Sequence, residues 1–320
     1  MVGTTFKVGT RGSKLALAQA ATLLAALRAA NPGIRFERVI VQTSGDRDRT
    51  SPLAAIGVGV FVKELESALA ARHIDLAVHS AKDLPTDTPD GFHIAAFMER
   101  EDPRDVLVSR HVGGISGLPR GARVGTGSSR RRSLLLALRP DMNIEPIRGN
   151  VDTRLSKLRA PDGPDAIVLA AAGLSRLGRL DEVSEFLDPA TFVPAVGQGA
   201  LAVETRSDDV EAIATAKSVE HAQTRSAVEA ERAFLRAAGG GCSAPVAGHG
   251  VVHGDRLTLA VLVSDLDGRR LLRHTATGFA NNAAGLGLRA AETLIAQGAH
   301  ALLAASRNQS PADTGTTPDD

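Results

Sequence analysis

Cys242 is the one cysteine in the 320-residue chain, and it directly follows three glycines, Gly239 to Gly241. One thiol can form neither an internal disulfide nor a zinc site made of cysteines alone. Glycines carry no side chains, so a bulky group can approach the sulfur closely. A small buried apolar residue at a turn is the common alternative for a lone cysteine. The glycines, together with the arginine-rich turns described next, favour a covalent attachment point.

Several turns combine hydroxyl-bearing residues with arginines just before a helix-like pattern. The strongest is the run 125–132, Gly-Thr-Gly-Ser-Ser-Arg-Arg-Arg. Helix N-termini attract anions, and guanidinium groups bind carboxylates at two points. Similar turns occur at residues 10–13, 148–154 and 173–176. A solvated basic surface is the alternative for an isolated run of arginines, but the repetition favours a site for a polyanion.

A possible acid–base group, Asp83, stands in the sequence His79-Ser80-Ala81-Lys82-Asp83-Leu84-Pro85. A carboxylate beside basic groups stays ionised, so Asp83 suits the stabilisation of a cation and the transfer of protons. A turn or capping role is the alternative. His79 fits a structural histidine best. Because no other His, Cys or carboxylate lies at metal-ligand spacing from it, we predict no metal.

Strand-like and helix-like segments alternate along the first two-thirds of the chain, which predicts parallel strand pairing with ligands at the carboxyl ends of strands. The predicted strands are residues 5–9, 38–42, 74–78, 106–109, 123–125, 143–147, 166–169 and 200–204, followed by three more between 246 and 276. The predicted helices are residues 13–30, with Ser13 as N-cap, 60–71, 128–138, 151–158, 221–238 and 282–297.

Composition and motifs exclude several classes of function. The net charge is only +1, so an anion must be bound by local clusters of basic residues. The chain has neither a P-loop nor a dinucleotide-binding glycine motif. Without Trp or Tyr, and with its arginines at loop–helix junctions, it does not fit a nucleic-acid-binding protein. We find no signal-peptide pattern and no apolar run of about 18 residues, so we expect a cytoplasmic protein that does not contact a membrane.

Motifs spread over residues 5–300 resemble, in order, those of the porphobilinogen deaminase (hydroxymethylbilane synthase) family. No one of these motifs is decisive, but together they make the resemblance specific. The matching segments are residues 8–13, 61–66, 79–83, 99–105, 125–131, 148–150, 194–199 and 240–242.

The resemblance implies a transferase of tetrapyrrole and heme biosynthesis that joins four porphobilinogen molecules head to tail into hydroxymethylbilane and releases ammonia. It implies a dipyrromethane cofactor attached to Cys242 through a thioether, and a monomeric enzyme. Each pyrrole carries an acetate and a propionate, which explains the arginines. Asp83 is implied as the catalytic residue, assisting loss of the amine, stabilising the azafulvene cation and handling the pyrrole α-proton.

The resemblance also implies two sets of binding residues. The cofactor would be bound by Cys242, Ser13, Lys82, Asp83, Thr126, Ser128, Arg130, Arg131, Arg148 and Gly149. The substrate would be bound by Arg11, Ser13, Gln19, Arg148, Arg154 and Arg176.

The expected fold class is α/β, with two doubly wound periplasmic-binding-protein-like domains plus a small α+β C-terminal domain. We expect residues 1–98 with 199–218 to form domain 1, including a mobile loop at 43–59. Domain 2, the anion-binding lobe, would span 104–194, with a hinge at 194–199. Domain 3, which carries the cysteine, would span 220–305, followed by a disordered tail at 306–320.

Two other hypotheses stay open at this point. A non-catalytic two-lobed binding protein for an organic polyanion would suit the two-domain pattern and the hinge. A nucleic-acid-associated protein is a weaker third. The mass of the intact protein separates the first alternative from the enzyme, because only the enzyme requires a covalent adduct that disappears in Cys242→Ser.

Overall fold

The computed structural model describes residues 5–41, 60–241 and 244–308. The predicted mobile loop 43–59 and the cofactor cysteine Cys242 lie outside these residues, as does the tail beyond residue 308. Statements about the structure refer to the described residues.

The strands and helices alternate through most of the chain. The strands are β1 (Thr5–Thr10), β2 (Arg35–Ile40), β3 (Leu76–Ser80), β4 (Phe92–Phe97), β5 (Asp105–Ser109), β6 (Arg123–Gly125), β7 (Asn143–Glu145), β8 (Ala166–Ala170), β9 (Glu185–Phe186), β10 (Leu201–Arg206), β11 (Val246–His253), β12 (Arg256–Ser264) and β13 (Leu271–Phe279). The helices are α1 (Lys14–Ala30), α2 (Val60–Ala70), α3 (Ser129–Leu138), α4 (Val151–Arg159), α5 (Ala171–Arg176), α6 (Val210–Lys217), α7 (Ala222–Ala237), α8 (Ala283–Ala296) and α9 (Ala299–Asn308).

The first sheet has the order β2-β1-β3-β10-β4. Strand β1 is parallel to β2 and β3, whereas β10 is antiparallel to both β3 and β4. Helix α1 begins at Ser13, whose hydroxyl oxygen accepts a hydrogen bond from Ala16 N at 3.2 Å. Its apolar face, with Leu23 and Leu27, packs on Phe6 and other core residues of the sheet. The carboxyl end of β3 is therefore fixed beside the start of α1.

The second sheet has the order β7-β6-β8-β5-β9. Strand β6 is parallel to β7 and β8, and β5 is antiparallel to β8 and β9. Helix α3 begins directly after β6, with Ser128 as its N-cap. Leu134 and Leu135 of α3 are buried in the core of this sheet, so the first turn of the helix is held at the sheet edge.

The third sheet, β11-β12-β13, is antiparallel and is covered by α7, α8 and α9. Phe234 of α7 and Leu286 of α8 are buried against Leu257 and Leu259 of β12. Ala247 and Leu262 belong instead to the core of the second sheet, so the third sheet packs against the second.

The chain crosses between the first two sheets twice, at residues 98–104 after β4 and at residues 194–199 before β10. Gly197 and Gly199 in the second crossing have positive φ angles of 71° and 90°, a region that glycine occupies without strain. A Cβ on Gly197 would lie 2.9 Å from Ala81 C and 3.0 Å from Lys82 N. The second crossing therefore touches the backbone that follows β3.

The predicted architecture, two α/β units plus a small α+β unit at the C-terminal end, is confirmed by this topology. The parallel pairing of β1 with β2 and β3 and the return of residues near 200 to the first sheet are also confirmed. Strand β2 begins three residues earlier than predicted and β3 ends two residues later. Strands β4 and β9 and helices α5, α6 and α9 were not predicted.

The disordered tail predicted from residue 306 is wrong over its first three residues, because α9 continues to Asn308. Leu302 and Leu303 of this helix pack into the core of the third sheet. Ser306 is buried and its hydroxyl donates to Leu302 O at 2.9 Å. Apolar packing one turn earlier therefore carries the helix into a polar sequence.

None of the helices in the described part of the chain is long and apolar enough to cross a membrane. Among the same residues, no group of three or more His, Cys, Asp or Glu side chains is placed to hold a metal ion.

Candidate active site

The Lys82–Asp83 turn follows β3 as a single 3₁₀ turn, Ala81–Asp83. Buried Ala81 and Leu84 anchor it on both sides, in a core that also contains Phe97 and Val228. Ala81 N donates to Ala200 O at 3.0 Å. With its flanks fixed in this way, the turn leaves the Asp83 carboxylate exposed and the Lys82 side chain half-buried.

The first turn of α3 places Arg130 and Arg131 against the start of β5, where they share the carboxylate of Asp105. Arg130 Nη1 donates to Asp105 Oδ2 at 2.6 Å, and Arg131 Nε donates to Oδ1 at 2.9 Å. Each guanidinium also donates to a backbone carbonyl, Val193 O and Val168 O respectively. All three side chains are buried. These arginines are therefore held in a fixed geometry before any ligand binds.

Electrostatics keep Asp105 ionised in this buried position. Burial alone would raise the pKa of Asp105, but Arg130 and Arg131 outweigh it and hold that pKa well below its usual range. Burial lowers the pKa of Arg131, and Asp105 opposes that shift. One carboxylate thus serves two guanidinium groups, and the local charge stays positive.

Lys82 and Arg154 complete a group that we call the basic cluster: Lys82, Asp83, Asp105, Arg130, Arg131 and Arg154. Burial lowers the pKa of the Lys82 ammonium to about 8; Asp83 and Asp105 oppose that shift, while Arg131 and Arg130 add to it. Burial and Arg131 lower the pKa of Arg154 to about 10, against the effect of Asp83. The residues that shift these pKa values come from both sheets, so the cluster spans their interface.

Gln198 of the second crossing connects the two halves of the cluster. Its side-chain nitrogen donates to Asp105 Oδ1 at 3.2 Å and to Pro103 O at 2.7 Å. Its side-chain oxygen accepts from Lys82 Nζ at 3.4 Å. Sequence reasoning gave roles to neither Gln198 nor Asp105, although both lie in segments that carry the family resemblance.

The starts of three helices meet near this cluster. Lys14 Nζ of α1 forms an ion pair with Asp152 Oδ2 of α4 at 3.2 Å. A Cβ on Gly173 of α5 would lie 3.9 Å from side-chain carbons of both Leu15 and Val151. The predicted turns at residues 10–13 and 148–154 are therefore brought together with the segment 173–176, which lies inside α5 and not in a turn before a helix.

The turn before α4 contains Arg148, Gly149 and the N-cap Asn150, whose side-chain oxygen accepts from Thr153 N at 2.9 Å. Arg148 is exposed, and Gly149 has a φ of 112°. A Cβ on Gly149 would lie 2.6 Å from Thr153 Cγ2, so this turn requires glycine. Arg154 Nε donates to Gly149 O at 2.8 Å, which ties Arg154 to the same turn.

Several other predicted site residues form hydrogen bonds that stabilise these turns and the second crossing. Gln19 is buried, and its side-chain nitrogen donates to Ser80 Oγ at the end of β3, at 2.8 Å. Thr126 is buried and accepts from Ser128 N at 3.2 Å. Arg176 donates to Gly199 O at 2.6 Å in the second crossing. Arg11 is half-buried just before Ser13. Arg132, which the family pattern leaves out, contacts Asp267 at 3.2 Å.

Helix α7 contacts the segment that follows Asp83. In the sequence it ends shortly before Cys242, a residue outside the described part of the chain. Arg232 donates to Pro85 O at 2.8 Å and to Thr86 O at 3.0 Å, just after Asp83. Arg236 Nε pairs with Asp87 Oδ1 at 2.7 Å. The helix ends at Ala237, the glycines Gly239 to Gly241 follow it, and a Cβ on Gly241 would meet no atom within 4 Å. The last described residue before Cys242 is therefore not crowded by other parts of the described chain.

Hollows of about 440 Å³ beside residues 28–36 and about 340 Å³ between α3 and residues 267–269 contain none of the predicted site residues. The basic cluster, which has both a carboxylate and an excess of cations, is the stronger candidate site.

Two family models match most of the chain. One is described as "Porphobilinogen deaminase, dipyromethane cofactor binding domain" and covers residues 6–214. The other, "Porphobilinogen deaminase, C-terminal domain", covers residues 226–296. The proteins named porphobilinogen deaminase from Syntrophobacter fumaroxidans and Trichlorobacter lovleyi are 46% and 47% identical to this chain. The alignments cover 95% and 93% of this chain and 98% and 95% of those proteins.

Solved structures with a weak similarity to this chain include the Bordetella pertussis BvgS periplasmic VFT2 domain, with a TM-score of 0.41 and 18% identity over 67% of this chain and 86% of that one. A TRAP periplasmic solute binding protein from Desulfovibrio salexigens has a TM-score of 0.41 and 7% identity over 68% of this chain and 73% of that one. These scores are low, so the architecture rests on the sheet order alone.

Proposed function

The chain belongs to the porphobilinogen deaminase family, and we propose that it condenses four porphobilinogen molecules head to tail into hydroxymethylbilane, releasing ammonia at each condensation. The observation that carries the mechanism is the basic cluster, in which an exposed carboxylate lies among Lys82, Arg131 and Arg154. The relatives support this enzyme and do not support the alternative of a non-catalytic polyanion-binding protein.

The cationic side chains bind the acid groups of the substrate. Each porphobilinogen carries an acetate and a propionate, and the growing product carries two more carboxylates with every unit. Lys82 and Arg154, with the exposed Arg148 and the helix starts at Ser13 and Ser128, supply donors to such groups. Because Arg130 and Arg131 are already oriented by Asp105, they contribute positive potential without reorganisation.

Asp83 supplies the acid–base chemistry. When ammonia leaves porphobilinogen, it takes the electrons of the C–N bond and leaves a cation on the substrate methylene carbon. A carboxylate at this position stabilises that cation. When the new C–C bond forms, a pyrrole α-carbon loses its hydrogen as a proton, and Asp83 accepts it. Because Asp83 is exposed, the substrate can reach its carboxylate in both steps.

The residues at the interface fit a dipyrromethane group, because its acid side chains would meet four cations and only two carboxylates, Asp83 and Asp105. Bound dipyrromethane supplies a pyrrole α-carbon as the nucleophile that starts the chain. We propose Cys242 Sγ as its attachment point and Ser13, Lys82, Thr126, Ser128, Arg130, Arg131, Arg148 and Gly149 as its binding residues. The uncrowded position of Gly241 and the clamp of α7 on residues 85–87 support that tether.

Intact mass and ammonia release test this function. We expect wild-type protein to be heavier than its sequence by one dipyrromethane and to release ammonia from porphobilinogen. Cys242→Ser should have the sequence mass and no turnover. Asp83→Asn should keep the adduct but turn over about 100-fold or more slowly, as loss of an acid–base group predicts. Asp255→Asn, in an exposed turn, is the control. Wild-type protein without adduct or ammonia release would contradict the proposal.

The remaining expectations are parts of the same proposal. A thioether requires a free thiol, which a reducing cytoplasm preserves. The proposed domains are 1–98 with 199–218, 104–194 and 220–305, with the second crossing, residues 194–199, as the hinge. We propose a monomer that binds no nucleic acid, and size-exclusion chromatography with light scattering tests the oligomeric state.

A further inference from the structure

We propose that Gln198 is a positioning residue for the condensation, whose side-chain amide holds Lys82 and the adjoining Asp83 turn in register with Asp105 and the arginine pair of the second sheet. The inference rests on the proposed function, because that function assigns the acid–base chemistry to Asp83. Gln198 itself does not touch the reacting atoms.

The contacts of the Gln198 amide fix its orientation. Gln198 is 1% exposed, so each of its polar groups needs a partner within the protein. Both amide hydrogens are used, toward Asp105 Oδ1 and Pro103 O, and the amide oxygen faces Lys82 Nζ. A flipped amide would place its NH₂ group against the ammonium of Lys82 and its oxygen against two other oxygens. Only one orientation satisfies all three neighbours.

The backbone around Gln198 is fixed as firmly as its side chain. Its N–H donates to Ala195 O at 3.0 Å, and its carbonyl accepts from Arg100 Nε at 2.8 Å. The preceding Gly197 N donates to Glu231 Oε2 at 2.6 Å. Arg100 belongs to the first crossing and Glu231 to α7. The position of the amide is therefore set by both crossings and by the third unit of the chain.

The neutrality of Gln198 matters because charged groups surround its two ends. Lys82 faces Asp83 on its own turn, Asp105 on β5, and Arg130 and Arg131 on α3. A carboxylate at position 198 would place an oxygen about 3 Å from Asp105 Oδ1, where it would repel Asp105 and compete with it for the arginines. An apolar side chain would leave Pro103 O and Lys82 without this partner. A glutamine serves the anionic and the cationic neighbour at once.

Gln198→Met and Gln198→Glu test the positioning role, because the first removes the neutral oxygen that accepts from Lys82 and the second puts a negative charge there. Gln297→Met, at an exposed helix end, is the matched control. The first readout is the acetylation of Lys82 against pH, followed by peptide mass spectrometry in a Cys242→Ser background, so that neither loading nor turnover is needed. Only the neutral amine reacts, so the midpoint reports the pKa of Lys82.

We expect the Lys82 midpoint to fall by about half a unit or more in Gln198→Met and to rise by a similar amount in Gln198→Glu, because the first loses an acceptor and the second gains a negative charge. In the loaded enzyme, both variants should lower kcat for ammonia release about tenfold or more with KM within about twofold, since misplacing a reacting group acts on turnover. The control should change neither quantity.

If Gln198 served folding alone, both variants would have a lower thermal unfolding midpoint. The pH midpoint of Lys82 acetylation would then be the same in the two variants. That result, or unchanged kcat in both variants, would overturn the proposal. Should Gln198→Met fail to fold, Gln198→Glu decides alone through an upward Lys82 shift with reduced kcat. The acetylation readout is independent of turnover, so failure of the proposed function, seen as a missing adduct and no ammonia, is a different result.

Discussion

At the scale of single residues, the site depends on a buried carboxylate that orients its neighbours. Asp105 is fully buried, and its two oxygens orient both Arg130 and Arg131. A guanidinium without such a partner would have to be desolvated with an uncompensated charge. Asp105 therefore allows two cations to stand at the interface of the sheets in a fixed geometry.

Asp105→Asn should lower the free energy of unfolding by about 3–5 kcal/mol at pH 7, because it removes the counter-charge of two buried guanidinium groups. The folded-state pKa of Asp105 is lowered, so its stabilising effect is fully present above the usual Asp pKa of about 4 and is lost as the pH falls toward the folded-state value. Urea denaturation of both proteins, at pH 7 and in acid, measures their free energies of unfolding. We expect the difference between wild type and variant to narrow in acid.

Glu37→Gln is the control, since the pair of Glu37 with Arg35 is exposed on both sides. An Asp105→Asn variant as stable as this control would show that the arginines do not need the carboxylate.

At the scale of elements, α7 connects parts that are distant in the sequence. Its Glu231 is completely buried and accepts from Arg100 of the first crossing at 2.6 Å, from Gly197 N of the second at 2.6 Å, and from Gly250 N of β11 at 2.7 Å. The same helix clamps residues 85–87 with two arginines. One helix thus ties the segment that follows Asp83 to both crossings and to β11.

Glu231→Gln should lower the free energy of unfolding by about 3–5 kcal/mol. The largely buried guanidinium of Arg100 then has no carboxylate to balance its charge. The double variant Arg100→Met with Glu231→Gln should recover part of that loss, since no unpaired charge remains. Chemical denaturation of the four proteins of this cycle provides the measurement.

The control on the same helix is Glu229→Gln, which removes only a partly exposed pair with Arg225. If the double variant were as unstable as the sum of the single ones, the buried ion pair would have no coupling to explain.

The sequence was sufficient to find what local pattern controls. The Ser13 cap, a helix start near Ser128, the strand before Lys82 and the return of β10 to the first sheet were all predicted. Gln198 and Asp105 were missed as functional residues because their contact joins positions 93 residues apart, and only the crossing of the sheets creates it. Strand β4 was missed because its pairing with β10 is also long-range, although the turn residues Pro89, Asp90 and Gly91 directly precede it.

At the scale of the whole molecule, charge is balanced overall but not locally. The net charge is +1, yet the basic cluster sets Lys82, Arg130, Arg131 and Arg154 against only Asp83 and Asp105. A field of this kind attracts the two carboxylates of the substrate over short distances and is weakened by salt, because the screening length is about 10 Å at 0.1 M.

We expect KM for porphobilinogen to rise about fivefold between low and physiological-to-high ionic strength, with kcat within about twofold, because screening weakens attraction more than it disturbs bound geometry. Ammonia release at varied NaCl measures both. Arg154→Gln should reduce the salt dependence of KM, and Arg269→Gln, on an exposed turn, should preserve it. A KM independent of salt in wild-type protein would contradict local attraction.

The position of β10 has a consequence for how the polypeptide is made. This strand lies between β3 and β4, although it follows them by about a hundred residues and comes after the whole second sheet. During synthesis on the ribosome, β3 and β4 must wait without their central partner until residue 206 has emerged. Although the first sheet begins at the N-terminus, it is therefore completed after the second sheet. Nascent chains that stop before residue 201 expose unpaired edges of β3 and β4, which promotes aggregation.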